Sequence, residues 1–437
     1  MKTEVKMSYL LFVLAFFGYA LKFGLNIFLA RHLTASLYGD YSVAIKLLTI
    51  LITLSLFGTN IGANRFFVKY LQSDDKEMAT NYLAWNVKLL GFTFLITFFI
   101  ALLAFGIMLL LHYFNIKDIN QYHLATYTLW LVPFAAIAKL LSSFLLSGNR
   151  ILLSMLYNNP FKYLIEIVLF ALVVIFIDPE LNNTSIVIVL FVSFVLISII
   201  SNFSMNEEIL QLLRLGIKKY KNINLSQMEW LQTSSRLISN NIIFAVTCSI
   251  DLIAVELFSS NEAHVGYYAA ILTIISLLWL VPGSVYQGLK PQFTILLNDE
   301  LGHQELQQKL NMTNLIAFIL IVVLMLLIIF FGKSILAYFG PQYVQVYSEL
   351  IVLIVATACS CLARIAPSLL VYAGYESIVL RWSIIELGLM VVLTMPATYW
   401  FDIKGTAFAT AFVLILKPFF TILIARKKLG LRPLSIF

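Results

Sequence analysis

Runs of eighteen or more apolar residues recur along the whole chain, each long enough to cross roughly 30 Å of hydrocarbon as a helix. Inside a bilayer the backbone must satisfy its own polar groups, so repeated spans of this length require a helical bundle. The 437 residues are 61% apolar and 12% charged, against about 25% charged for a soluble domain. Mean hydropathy is +0.93. The expected fold class is therefore all-α integral membrane. Twelve spans are expected, at roughly 8–30, 40–70, 83–112, 122–146, 150–177, 184–204, 229–258, 264–289, 312–332, 344–372, 378–401 and 404–425. Several are long enough to tilt or project, which leaves their ends loose.

The first run, Ser8 to Ala30, contains Lys22 and lacks a small-x-small cleavage site, so it reads as a retained span rather than a signal peptide. Cys248, Cys359 and Cys361 all lie in apolar segments and suggest neither disulfides nor a metal site. An even number of spans puts both termini on one side. On that side fall Lys2, Lys6, Lys69, Lys76, Arg150, the group Arg214, Lys218, Lys219 and Lys221, Lys290, Lys309, Arg381, and Arg426, Lys427, Lys428 and Arg432. The opposite side carries Arg31, Lys117, Lys333 and Lys404. The positive-inside rule then makes both termini cytoplasmic, in a cytoplasmic (inner) membrane. The same rule accounts for the net charge of +7 without nucleic acid.

The longest connection, 205–228, divides the chain into an amino-terminal lobe (1–204) and a carboxy-terminal lobe (229–437), each of six spans. Its Ile209, Leu212, Leu213 and Ile217 can share a face opposite basic residues, as in an interfacial helix. The halves look related. SLYGDYSVAIKLL (36–48) and AHVGYYAAILTII (263–275) align Gly39 with Gly266 and Tyr41 with Tyr268, and SSFLLSGNR and PSLLVYAGY align Gly148 with Gly374 at nearly the same offset. Internal duplication of this kind is a transporter habit.

The charges inside the spans are the functional signal. Lys22, Lys46, Arg65, Lys88, Lys139, Lys162, Arg236, Arg364 and Lys417 face only Glu166, Asp251, Glu386 and, near an outer end, Glu256. Each buried charge costs about 2.5–3.5 kcal/mol near a helix centre. On continuous helices Lys46, Thr49, Thr53, Asn60 and Asn64 form one polar stripe, and Arg236, Asn240, Thr247 and Asp251 another; Tyr19, Lys22 and Asn26 share a face. Such stripes should line water or a partner. The expected substrate-binding set is Lys22, Asn26, Lys46, Asn60, Asn64, Arg65, Lys139, Arg236, Asn240 and Arg364, with Asp251 and Glu166 as candidates for ion coupling. Plainer readings stand beside this one. Lys88 and Lys417 can snorkel to the interface, Lys162 and Glu166 can pair at i,i+4, and Arg65 can anchor the end of its span. A cationic surplus implies anionic cargo. Arg suits phosphate oxygens and Lys acts as a point charge, while Tyr, Asn and Thr suit sugar hydroxyls.

No Walker A sequence is present, and His32, His112, His123, His264 and His303 form no ligand-spaced set. No loop is large enough for a catalytic domain, so no enzyme, metal or cofactor is expected.

The stretch FGLNIFLARHLTASLYGDYSVAIKLLTILITLSLFGTNIGANRFF resembles the amino-terminal pattern of polysaccharide repeat-unit flippases of the Wzx type, with Tyr38, Gly39, Tyr41, Gly58, Gly62 and Arg65 at the characteristic places. CSIDLIAVELFSSNEAHVGYYAA is similar to that family's second-half pattern. The superfamily, the multidrug/oligosaccharidyl-lipid/polysaccharide (MOP) exporters, also holds drug antiporters and the lipid II flippase. The resemblance implies two six-helix lobes in a V around a central cavity, and alternating access. The implied cargo is undecaprenyl diphosphate bearing an oligosaccharide, such as an O-antigen or other surface-polysaccharide repeat unit, moved to the periplasmic leaflet. It further implies membrane lipids and polysaccharide polymerase or assembly enzymes as partners. A cation-coupled antiporter of small organic compounds is the alternative, and a channel or assembly scaffold a third class.

Overall fold

The computed structural model describes residues 2–114, 124–177, 180–225, 228–286, 289, 293, 296 and 300–434, so Lys117, His123 and Lys290 lie outside the described residues. All regular structure among these residues is helical. Among the described residues ten helices are long and apolar enough to cross a membrane, and a pair bent by 45°, Glu229–Thr247 with Ile250–Phe258, meets the same length and hydropathy only when taken together. The last of the ten, Glu376–Leu429, has 54 residues, about 80 Å at 1.5 Å per residue. It divides at Asp402, whose φ of 57° and ψ of −144° are not helical. The expected spans 378–401 and 404–425 are thus its two arms, and the chain is a multi-pass membrane protein.

Two compact units are present. The first is residues 1–25 with 40–245. It takes the start of α1 (Lys2–His32), then α2 (Ala35–Leu56), α3 (Thr59–Gln72), α4 (Lys76–Tyr113), α5 (Leu124–Thr128), α6 (Val132–Ser147), α7 (Ile151–Asn158), α8 (Pro160–Phe176), α9 (Asn183–Phe203), α10 (Glu207–Lys219) and most of α11 (Met228–Thr247). Local chemistry sets the ends. Asp75 accepts from the Met78 amide at 3.0 Å and Asn182 from that of Ser185 at 2.9 Å, each satisfying an orphan donor of a first turn.

The span expected over 40–70 is present as one crossing, Ala35–Gln72, with a kink inside it. Phe57 and Gly58 adopt φ of 46° and 74°, which ends α2 and starts α3 in a new direction. A side chain on Gly58 would come within 2.5 Å of the Ser234 carbonyl of α11, so glycine serves both the turn and the approach. An aromatic cluster completes the joint. Trp230 is fully buried, donates to Tyr70 Oη at 3.0 Å, and packs edge-on to Tyr82 at 5.2 Å. This packing draws α11 into the first unit, although the sequence places it at the head of the carboxy-terminal lobe.

Helix α10 also differs from its expected role. Ile209, Leu212 and Leu213 are buried, and Gly216 stands against Leu83 and Ala84 of α4, so the apolar face meets protein rather than lipid. Of the four expected face residues, Ile217 remains exposed. Lys88 explains why the connection stays in place. It does not snorkel; its Nζ donates to the carbonyls of Ile223 at 2.5 Å and Lys221 at 3.3 Å.

The second unit is residues 26–39 with 246–437. It contains α12 (Ile250–Phe258), α13 (Ala263–Ile275), α14 (Leu280–Val285), α15 (Glu300–Phe339), α16 (Tyr347–Leu362), α17 (Ile365–Tyr372) and α18 (Glu376–Leu429). The end of α1 and the start of α2 join it for visible reasons. Tyr38 is fully buried beside Phe339 and Tyr343, and Arg31 Nε donates to the Tyr338 carbonyl at 2.7 Å. Gly39 and Gly266, aligned by the repeat, meet each other: a Cβ on Gly39 would lie 2.7 Å from the Gly266 nitrogen. One on Gly266 would lie 2.0 Å from the Ala35 carbonyl.

The bend of α18 is held by its polar environment. Ser259 and Ser260 hydroxyls each donate to Asp402 at 2.6 Å, and His264 Nδ1 lies 2.9 Å from its carboxylate. A backbone conformation that costs about 1–3 kcal/mol persists because these bonds over-determine it. Burial raises the carboxyl's pKa, but the bonds from Ser259, Ser260 and His264 and the imidazole's charge outweigh it, holding Asp402 at about 2. A depressed acid contributes stability that is complete above the ordinary carboxyl range near 3.9 and lost as pH falls through about 2. Asp402→Asn is expected to cost on the order of 1 kcal/mol at neutral pH. Its thermal midpoint in detergent should sit below wild type at pH 7, the gap closing between pH 4 and pH 2.

Candidate functional site

Helix α8 starts at Pro160, which occupies a first-turn position where its missing amide is harmless. One turn separates Lys162 from Glu166. Lys162 Nζ lies 3.8 Å from Glu166 Oε1, and 5.3 and 5.5 Å from the ring centres of Phe194 and Tyr163. Glu166 is 2% exposed and accepts from Ser193 Oγ of α9 at 3.3 Å. The i,i+4 pair expected from spacing is present.

That pair belongs to a larger group. Lys22 of α1 stands within electrostatic reach of both Lys46 of α2 and Lys162, and Lys139 of α6 within reach of Lys162. Four lysines from four helices of the first unit are thus linked electrostatically, through Lys22 and Lys162, and Lys162 is the one that pairs with Glu166. Lys22, Lys46 and Lys162 are half-buried and Lys139 is exposed. Like charges held in a poorly screened medium repel strongly, and an anion among them recovers that cost. Sequence spacing could not find Lys162 or Ser193 as members, since the set is assembled across helices.

The polar stripes are redistributed by the helix breaks. Thr49 and Thr53 turn their hydroxyls onto the carbonyls of Ile45 and Thr49, each at 2.8 Å. Asn60 and Asn64 fall on α3, beyond the kink at Phe57 and Gly58. Asn64 accepts from Ser147 Oγ at 3.1 Å. Arg65 is exposed, with its guanidinium 5.5 Å from the Phe66 ring centre. Arg236 and Asn240 are exposed on α11.

The break at 248–249 separates these two from Asp251, which lies in the second unit. There Asp251 is 5% exposed, accepts from the Leu252 amide at 2.8 Å and from Tyr268 Oη at 3.3 Å. Asn26 is also in the second unit and accepts from Tyr38 Oη at 3.0 Å. Arg364 lies there too, its guanidinium 5.2 Å from the Trp279 ring centre.

The charge is unequally shared. Lys22, Lys46, Arg65, Lys88, Lys139, Lys162 and Arg236 belong to the first unit, where Glu166 is the acid deep within a span and Asp40 stands at the start of another. The second unit has Arg364 and Lys417 against Asp251, Glu256 and Glu386. It also has Glu349, 5% exposed at the head of α16, which the sequence reading passed over. Lys417 does not snorkel either; it bonds Glu386 at 2.5 Å.

No protein-family model matches the sequence, and no curated protein matches it. Solved structures do. An inward-facing multidrug resistance MATE family transporter of the MOP superfamily superposes with a TM-score of 0.71 at 14% identity, over 94% of each chain. The lipid II flippase MurJ, in an inward closed conformation, superposes at 0.65 and 12% identity, over 96% of this chain and 87% of that one. A MOP superfamily transporter from Pyrococcus furiosus, in which reverse polarity of the binding pocket suggests a different function, superposes at 0.53 and 14% identity, over 97% and 95%. The chain has the MOP-type membrane fold.

Proposed function

We propose that this protein is a flippase that carries an undecaprenyl-diphosphate-linked oligosaccharide, a surface-polysaccharide repeat unit, from the cytoplasmic to the periplasmic leaflet of a bacterial inner membrane. The observation that carries this reading is the convergence of Lys22, Lys46, Lys139 and Lys162 in the first unit. A diphosphate is the chemistry that four ammonium groups hold well, and the exposed Arg65 and Arg236 offer planar forks for further phosphate oxygens. Asn60 and Asn240 supply donors and acceptors for sugar hydroxyls. An anionic cargo leaving the cytoplasm is driven outward by an inside-negative potential, about 2.3 kcal/mol per charge per 100 mV. Glu166 and Asp251 are the acids through which an ion gradient would add to that drive. Both termini lie in the cytoplasm in this reading, and the assembly enzymes that polymerise the glycan are its functional neighbours.

In a deletion strain complemented with variants, Lys46→Ala and Arg236→Ala are each expected to cut surface glycan at least tenfold. Repeat units should then accumulate on the cytoplasmic leaflet. Wild-type glycan from both variants would remove the assignment. A second reading, a cation-coupled antiporter for small organic compounds, draws on the fold shared with multidrug transporters and on the buried Asp251. Cationic drugs would meet an acidic first unit in such a protein, whereas this one is basic. Unchanged glycan with increased drug susceptibility in the deletion strain would favour that reading.

A further inference from the structure

Beyond the cargo site, the end of the chain builds a second place for an anion. After α18 the tail 430–434 lies along the start of α15. Gln307 Oε1 accepts from the Arg432 amide at 2.8 Å and its Nε2 donates to the Arg432 carbonyl at 3.2 Å. Asn314 Nδ2 donates to the Pro433 carbonyl at 2.8 Å, and Asn314 Oδ1 accepts from Tyr286 Oη at 3.2 Å. Leu431 is buried. The tail backbone is therefore fixed, while the Arg432 side chain stays exposed. Between this strap and the last turns of α18 lies a cavity of about 290 Å³, lined by Ile422, Arg426, Arg432, Pro433 and Leu434.

The cavity's lining combines two guanidinium side chains with three apolar ones. Ile422 and Arg426 are one turn apart on α18, about 6 Å along the axis, and Ile422 is the residue nearer the centre of the span. Arg426 and Arg432 are both exposed, and Leu434 is 42% exposed. Neither arginine has an ion-pair partner among the described residues. Lys427 and Lys428 follow directly, with Lys428 placed over the Tyr375 ring at 5.7 Å. Two guanidinium groups sharing a cavity with apolar side chains, at the end of a long apolar helix, offer partners for both parts of a phospholipid: phosphate on the arginines, glycerol and acyl chain on the apolar lining. The surrounding cations disfavour a choline or ethanolamine group.

We propose that this cavity binds the headgroup of an anionic phospholipid of the cytoplasmic leaflet, with its phosphate on Arg426 and Arg432. The site is separate from the cargo assignment and does not depend on it. The test uses the full-length protein, delipidated in neutral detergent and titrated with short-chain phosphatidylglycerol or phosphatidylcholine, with bound lipid counted by native mass spectrometry. One phosphatidylglycerol is expected to bind at least tenfold more tightly than phosphatidylcholine. Arg432→Gln is expected to weaken it about tenfold, the order of one charge-assisted hydrogen bond. Arg432 lies in the tail, so this variant leaves α18 intact; Arg426→Gln should give a similar loss. The double variant Lys218→Gln/Lys219→Gln, at a different basic surface, should change nothing. Equal binding of the two lipids, or an unaffected Arg432→Gln, would overturn the site. An equal loss from the Lys218/Lys219 variant would show diffuse attraction instead, and displacement of lipid by equimolar inorganic phosphate would show an anion site without lipid character.

Discussion

Lys417→Met is expected to lower the stability of the protein by about 3 kcal/mol, because it leaves Glu386 as a half-buried charge without its counterion. The pair is 21% and 12% exposed at its side chains, joins the two arms of α18, and takes in Ser383 Oγ at 3.3 Å. Trp382 stacks on Phe420 at 4.4 Å nearby, and Ile385, Leu389, Val413 and Leu416 make the surroundings of the pair apolar. The companion variant Lys417→Met/Glu386→Leu removes both charges and fills the space with apolar atoms. It should return to near wild-type stability, or exceed it. Thermal unfolding in detergent, followed by tryptophan fluorescence, distinguishes the two cases. A double variant as unstable as the single would mean that packing, not charge pairing, holds the arms together.

A single methyl at the crossing of α2 and α13 is the second large effect. In Gly266→Ala the new carbon would stand 2.0 Å from the Ala35 carbonyl oxygen and 3.2 Å from its Cα. Both are backbone atoms that cannot turn aside, so the helices must separate. Overpacking usually costs about 1–3 kcal/mol, and a backbone clash this short places the expected loss at about 3 kcal/mol or more. Gly388→Ala is the control, since nothing lies within 4 Å of its added carbon. There helix propensity alone acts, and alanine should be neutral or stabilising by up to about 1 kcal/mol. Equal thermal midpoints for the two variants would show that the crossing is looser than these distances state.

Much of the architecture follows from local chemistry and was readable in advance. Apolar runs became helices near the expected boundaries, and the DIKG stretch between two spans marks the turn at Asp402. The break at Phe57–Gly58 has a signal in the glycine. The break at Cys248–Ser249 has none, since neither residue favours a positive φ and neither is proline; packing of α11 by Trp230 and of α12 by Asp251 decides it. Pairings across helices were beyond reach. Lys88 and Lys417 looked like interfacial residues because their partners, the carbonyls of 221 and 223 and the carboxylate of Glu386, are far away in sequence. The candidate site shows the same limit. Lys22 and Lys46 were found from their polar faces, but Lys162 was read only with its i,i+4 acid, because periodicity reports neighbours on one helix.

The division of α1 has a consequence for how the chain is made. Leu25 and Asn26 are consecutive residues of one unbroken helix, yet the first belongs to one compact unit and the second to the other. When Asn26 to Gly39 leave the ribosome, their packing partners Gly266, Phe339 and Tyr343 have not been synthesised. The segment must wait in lipid or beside the insertion machinery through the production of the entire first unit. Synthesis makes this part of the second unit before most of the first and completes that unit last. Neither half of the chain, cut within 205–228, would own a complete interior.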